Sequence, residues 1–230
     1  MGKIGIFYHT RLDGGSPPID SVHALRVLGE QIGDLLSSGL YEAASEITFG
    51  VNASSESAQL CRTMAPSKIE VVHHTPEYQS ELPTFSRLRQ WLEGHQDWYV
   101  LYHQAKGVRS PNSEVTKAWR RCMSRHLVHN WRECVADLDR GFDAVGCHWL
   151  TPEQFPRIRT PYFGGNFWWA KASFLATLPE LPVTASCRED FYLAETWIGR
   201  GPQWPKVRDY APHWPGLEEC SVASLCSAAE

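Results

Sequence analysis

Trp98-Tyr99-Val100-Leu101-Tyr102 runs without a break into His103-Gln104-Ala105-Lys106-Gly107, and the fold is decided at that join. Five apolar or aromatic residues in a row predict a strand buried on both faces. The polar residues that follow place a cation, two hydrogen-bonding side chains and a glycine at the strand's carboxyl end. Upstream, Lys3–His9, Ile47–Val51 and Lys68–Val72 read as further strands. Between them lie helical patterns: one capped by Asp20 or Ser21 with Val22, Leu25, Val27, Leu28, Ile32, Leu35 and Leu36 inward, another over Thr84–Glu93. Downstream, the spacing of Val115, Trp119, Cys122, Leu127, Trp131, Cys134 and Leu138 predicts one long helix over Glu114–Asp139, followed by a short strand at Ala144–Gly146. Strands alternating with helices argue for an α/β domain: a mostly parallel sheet flanked by helices. Ligands of such sheets bind beyond the carboxyl ends of the strands.

The 230 residues are 43% hydrophobic, 12% aromatic and 21% charged, which suits one domain with a proper core and excludes disorder. Lys+Arg 22 against Asp+Glu 26 gives a net charge of −4, so no global field favours nucleic acid or an anionic membrane. No apolar run approaches the ~18 residues of a membrane span. Seven cysteines, odd in number and without a CxxC pair, read as reduced thiols. The apolar start is too short for a signal peptide. The expected location is cytoplasmic.

Four stretches could carry chemistry. Tyr8-His9-Thr10 and His103-Gln104-Ala105-Lys106-Gly107 fall at strand ends, where Lys and His neutralise phosphate and glycine exposes N–H donors. In Phe163-Gly164-Gly165-Asn166-Phe167-Trp168-Trp169-Ala170-Lys171, indoles can stack on a sugar and the amide can bind hydroxyls, or the aromatics are core. Alternation sends Phe167 and Trp169 one way and Trp168 the other. The fourth, Cys187–Gly199, reads as a helix in which Glu195 lies among apolar neighbours, where burial favours a general base. Arg188 is two turns earlier on the same face, and Glu189 and Asp190 suit the first turn. Asp137-Leu138-Asp139 falls near a helix end and is not read as a metal motif. Lys117, Arg120, Arg121, Arg125 and Arg132 make the long helix basic, either as a solvated face or as one for a phosphate-rich acceptor.

Taken in order, Ala105-Lys106-Gly107-Val108, Ala118-Trp119-Arg120-Arg121-Cys122-Met123, Ala144-Val145-Gly146, Phe163–Ala170 and Ala194-Glu195-Thr196-Trp197-Ile198-Gly199 resemble bacterial and phage glycosyltransferases related to those of rhamnan and capsule synthesis. The resemblance is carried by residues 98–200 and more weakly by the first strand. It implies a GT-A-like, Rossmann-related single domain, with a nucleotide-sugar-binding half over 1–146 and an acceptor and sugar-side half over 147–230. It further implies transfer of a sugar from a nucleotide diphosphate donor to a hydroxyl of a glycan or of a nucleic acid. Tyr8, His9, Thr10, His103, Gln104, Lys106 and Gly107 would bind the donor. Gly165, Asn166, Trp168, Trp197 and Arg188 would meet sugar and acceptor, and Glu195 would be the base with Asp190 in reserve. Where the family has His two places before the Lys, this chain has Gln104, with His103 one step earlier. Relatives of GT-A type hold Mg²⁺ or Mn²⁺ on an Asp-x-Asp pair; here Asp209 or His213 would be the ligands, or cationic side chains would replace the metal. A homodimer could complete the small acceptor half. Two rivals stand beside this reading: a phage-type enzyme that glycosylates hydroxymethylated bases in DNA, and a sugar- or nucleotide-binding module without catalysis.

Overall fold

Ile4–Arg11 (β1) is buried along its whole length, as a strand covered on both faces must be. The computed structural model describes residues 2–14, 18–75, 80–155, 158–182 and 193–212. After β1 come α1 (Ser21–Ser37), α2 (Leu40–Ala43), β2 (Glu46–Asn52), α3 (Ser55–Met64), β3 (Ile69–His74), α4 (Leu82–Leu92) and β4 (Tyr99–Gln104). Then follow α5 (Glu114–Ser124), a π-helical turn (Arg125–His129), α6 (Trp131–Asp139), β5 (Ala144–Gly146), β6 (Trp149–Leu150), β7 (Tyr162–Phe163), β8 (Trp168–Lys171) and α7 (Ala172–Leu175). A 3₁₀ turn (Trp197–Gly199) and β9 (Val207–Asp209) complete the described elements.

The sheet has seven strands among the described residues, in the order β3-β2-β1-β4-β8-β5-β9, with β6 and β7 pairing separately. Strands β1 to β4 are parallel, β8 runs against both its neighbours, and β9 is parallel to β5. One face is covered by α1, α3, α5 and α6, the other by α4 and α7, each over its own apolar cluster. This is the mostly parallel, helix-flanked single domain that the alternation predicts. The chain builds outward through β2 and β3, then crosses back to lay β4 on the other side of β1. The crevice at the carboxyl ends of β1 and β4 is therefore the sheet's switch point.

Asp20 caps α1, its Oδ1 accepting from the N–H groups of Val22 and His23. Val22 itself is 79% exposed and Leu36 43%, so the inward stripe of α1 is narrower than its apolar content suggests. The helix expected to open at Thr84 starts earlier, at Leu82, with a proline in its first turn. Thr84 does not cap it. Its hydroxyl instead sits 2.8 Å from His9 Nδ1, a contact allowed because Gly50 of β2 lacks the Cβ that would overlap Thr84.

The long helix expected over 114–139 is interrupted. Its apolar positions step by 4, 3, 5, 4, 3 and 4 residues, and the step of five from Cys122 to Leu127 spans the start of the π-helical turn. An α-helix would swing the stripe off the sheet at that step. The wider turn absorbs the extra residue, so Cys122 and Met123 before it and Trp131 and Cys134 after it join one core. No helix among the described residues is long and apolar enough to cross a membrane.

Candidate active site

A cleft of about 400 Å³ opens at the switch point. His9, Thr10 and Arg11 reach it from β1, Gln104 and the turn through Ser110 from β4, and Thr116 and Trp119 from α5. Ser80 and Glu81 ahead of α4, together with Glu195, close the other side.

One wall is cationic. Lys106 Nζ stands 3.8 Å from the centroid of the Trp119 ring. Burial pushes its pKa down, and the charges of Glu195 and Glu81 pull it back up. Arg11 is lowered by burial and by the neighbouring charge of Arg109. The charge of Asp13 works the other way on Arg11. The turn after β4 is held from outside: Arg120 Nη1 donates to the Lys106 carbonyl at 2.8 Å and pairs through Nη2 with Glu30 at 2.7 Å. His23 Nε2 lies 3.1 Å from the Gly107 carbonyl. Gly107 has φ +99°, a conformation suited to glycine, and a Cβ there would crowd Arg120 and Thr116. The N–H groups of Gly107, Val108 and Arg109 donate to nothing among the described residues. His9 is held neutral, its pKa lowered to about 3 by burial and then by the nearby His74, Arg11 and Arg109.

The facing wall is acidic. Glu81 Oε2 accepts from the Tyr102 hydroxyl at 2.5 Å and from Asn166 Nδ2 at 2.8 Å. Burial raises its pKa to about 7, with the charge of Glu195 adding to the rise while those two donors and Lys106 oppose it. Asn166 is fully buried in the left-handed region, φ +49°, which Asn tolerates better than most residues. Its Oδ1 accepts from the Trp168 indole at 2.8 Å, which turns Nδ2 toward Glu81 and, at 3.4 Å, toward the carbonyl of Ala194. One amide thus ties the start of α4 to the segment carrying Glu195.

Of the donor-side residues named from sequence, His9, Thr10, Gln104, Lys106 and Gly107 line the cleft. Tyr8 and His103 do not. Alternation along β1 and β4 turns both inward, where their rings lie 4.7 Å apart and His103 also stacks on Phe167 at 4.9 Å. Tyr8 acts behind the cleft, its hydroxyl donating to Gln31 Oε1, while Gln31 Nε2 donates to the Gln104 carbonyl. On the sugar side, Gly165 accepts from Gln104 Nε2 at 3.0 Å, and Asn166 lies one layer beneath the cleft. Trp168 and Trp197 are core residues. Phe167 and Trp169 pack on one face of the sheet and Trp168 on the other, as alternation predicts, but both faces are covered, so no indole of this stretch is left for a sugar. The Trp197 indole donates to the Pro179 carbonyl. Glu195 lines the cleft, and its charge reaches both Glu81 and Lys106. Arg188, Asp190 and His213 lie outside the described residues.

Sequence reasoning passed over Glu81, Arg11 and Arg109. Glu81 sits just before Leu82-Pro83 and looks like an ordinary helix-start carboxylate. Only the folded chain brings it to Lys106.

The described residues of the cleft include no Asp-x-Asp pair. The end of β4 offers Gln104 and Lys106, and no group of three His, Cys, Asp or Glu side chains suited to a metal exists among the described residues. Asp209 is engaged otherwise, its carboxylate accepting from the N–H groups of His148, Trp149 and Ala211. Arg120 is likewise turned inward, away from any basic face on α5.

No curated protein matches the chain. Solved structures similar to it include a 4-diphosphocytidyl-2C-methyl-D-erythritol synthase, at 14% identity and TM-score 0.39 over 76% of this chain and 78% of that one. Another is the 4-diphosphocytidyl-2C-methyl-D-erythritol synthase from Anaerococcus prevotii, at 8% identity and TM-score 0.43 over 99% and 96%. A family model described as "Domain of unknown function (DUF8361)" matches residues 7–185. With most of its length inside that match, the chain belongs to the DUF8361 family.

Proposed function

We propose that the protein is a GT-A-like glycosyltransferase that takes its sugar from a nucleotide diphosphate donor and transfers it to a hydroxyl. The observation that carries this reading is the pairing of walls at the switch point. Arg11, Lys106, Arg109 and the open N–H groups of 107–109 face the carboxylates Glu81 and Glu195 across one cleft. A diphosphate suits the first wall, because it brings negative charge to Lys106 and acceptors for the main chain. Transfer to a hydroxyl needs what the second wall offers, a carboxylate near the reacting carbon. In this reading the departing charge is met by fixed cations and N–H dipoles.

The test is a thermal-shift screen of UDP, GDP and dTDP with and without Mn²⁺, followed by turnover of the matching sugar nucleotides. A specific nucleoside diphosphate is expected to stabilise the protein by mass action, and the corresponding sugar donor to be consumed. Binding without turnover would make it a binding module. Failure of all three nucleotides to bind would refute the reading. Salt-sensitive binding of duplex DNA would instead favour the DNA-modifying variant.

A further inference from the structure

Glu81 is held in an unusual way. Both of its hydrogen bonds, from Tyr102 and from Asn166, fall on the same oxygen, Oε2. The other oxygen, Oε1, has no partner among the described residues, although the side chain lines the cleft. A carboxylate that merely capped α4 would accept from the helix's first N–H groups, and Glu81 makes no such bond. The donors on Oε2 are fixed in turn. Tyr102 is buried in β4, and the Asn166 amide is set by the Trp168 indole. The aromatic stretch that suggested a sugar platform is thus a bracket for a carboxylate brought from 85 residues earlier.

We propose that Glu81 is the catalytic residue that takes the acceptor's proton, through Oε1, with Tyr102, Asn166 and Trp168 as its positioning residues. This rests on the glycosyl-transfer reading above. The acceptor O–H gives its proton to Oε1 as its oxygen bonds to the anomeric carbon. The bond from that carbon to the diphosphate oxygen breaks, and its electron pair leaves with the nucleoside diphosphate. Glu195 then serves as counter-charge to Lys106 and keeps Glu81 basic by repulsion. The groups facing Glu81 are Tyr102 from β4, Asn166 from the turn before β8, Lys106 from the turn after β4, neutral His9 from β1, and Glu195. With its pKa raised to about 7, Glu81 gives up and takes a proton near neutrality, where a general base is most effective.

The experiment compares the wild type with Glu81→Gln, Glu195→Gln and Tyr102→Phe, using UDP-, GDP- and dTDP-sugars as donors and the matching nucleoside diphosphates as binding probes. Glu81→Gln is expected to lose at least ~100-fold in turnover while binding the nucleoside diphosphate within about threefold of wild type. Glu195→Gln is expected to lose less than about tenfold. In Tyr102→Phe the acid limb of the pH–rate profile should move to higher pH, because the hydroxyl that favours ionised Glu81 is gone. A merely structural tyrosine would leave that limb in place. Near-wild-type turnover in Glu81→Gln, or an unmoved limb in Tyr102→Phe, overturns the assignment while leaving glycosyl transfer intact. Failure of the wild type to turn over any of the three donors defeats the functional reading itself, and the assignment with it. Should Glu81→Gln fail to fold, the Tyr102→Phe profile decides alone.

Discussion

Two hollows of nearly the same size, about 400 and about 380 Å³, lie along one helix, α4. Glu81, just ahead of α4, faces the first. Phe85, Arg89 and Glu93 line the second, together with the segment from Ala176 to Leu181 and Trp197. Both hold charged side chains, so charge and volume do not separate them. What does is how the half-buried cation of each is held. In the second hollow, Arg89 Nη1 donates to the carbonyls of Leu175, Ala176 and Leu178, and the Trp197 indole to that of Pro179. That arginine finishes the end of α7. In the first, Lys106, main-chain donors and a carboxylate oxygen face the opening with capacity to spare. A site is recognised by that unspent capacity, gathered from separate segments, rather than by the size of its hollow.

The sharpest way to break this comparison is with acid. Buried neutral histidines collect at the first hollow's end of the sheet: His9 and His103 have pKa values lowered to about 3 and His148 to about 4, all chiefly by burial. The unfolded chain binds protons on these groups from about pH 6.5 downward, the native chain does not, and so native stability falls as pH drops from 6.5 toward 3. About 2 kcal/mol per histidine is expected by pH 5. Glu81 works the other way, binding a proton in the native state between pH 7 and 4.5 and returning part of that loss. Urea denaturation from pH 7 to pH 4 reads the sum, and hydrogen exchange should show β1 and β4 opening before α4 and α7. The His103 ring nitrogens have no hydrogen-bond partner among the described residues, so His103→Leu should flatten the acid limb. An acid limb unchanged in that variant would contradict the burial argument.

Next in size is the contrast between the two basic residues. Lys106→Ala is expected to weaken nucleoside diphosphate binding by about 100-fold, or ~3 kcal/mol. Arg89→Ala should leave that binding within about twofold and lower stability instead, by ~2 kcal/mol, through the three carbonyls it abandons. Isothermal titration and denaturation separate the two. Equal binding losses would mean that the hollows were misassigned.

Smallest is Gly107→Ala, at ~1 kcal/mol of stability, since only glycine takes φ +99° without strain and the new methyl would press on Thr116 and the end of Arg120. Its larger consequence should be a weaker nucleoside diphosphate complex, read in the same titration. Unchanged affinity would remove the turn from the proposed donor site.

The sheet was legible because period and polarity carry it: apolar runs at β1 and β4, turn residues after them, and helix spacing between. The strand-end residues His9, Gln104 and Lys106 were legible for the same reason, since topology alone sends them to the rim. Side-chain direction was harder. His103 and Tyr8 stand beside residues that do line the cleft, and a single step along a strand turns a ring from the rim to the core. Trp168 and Trp197 misled because sugar sites and cores use the same chemistry. The π-helical turn was written in the five-residue step from Cys122 to Leu127, a signal that a search for α-helical spacing averages away. Glu81 left no local trace, for its meaning lies in partners 21 and 85 residues further along the chain.

The Asn166 amide joins residue 81 to residue 194. During synthesis the ribosome delivers the basic turn at 106–109 long before that clasp can form. A nascent chain therefore carries Glu81 and the basic turn before the amide that fixes them exists, and the two walls are tied together only once residue 194 has followed. Chains cut short before residue 194 should lack that tie between the walls.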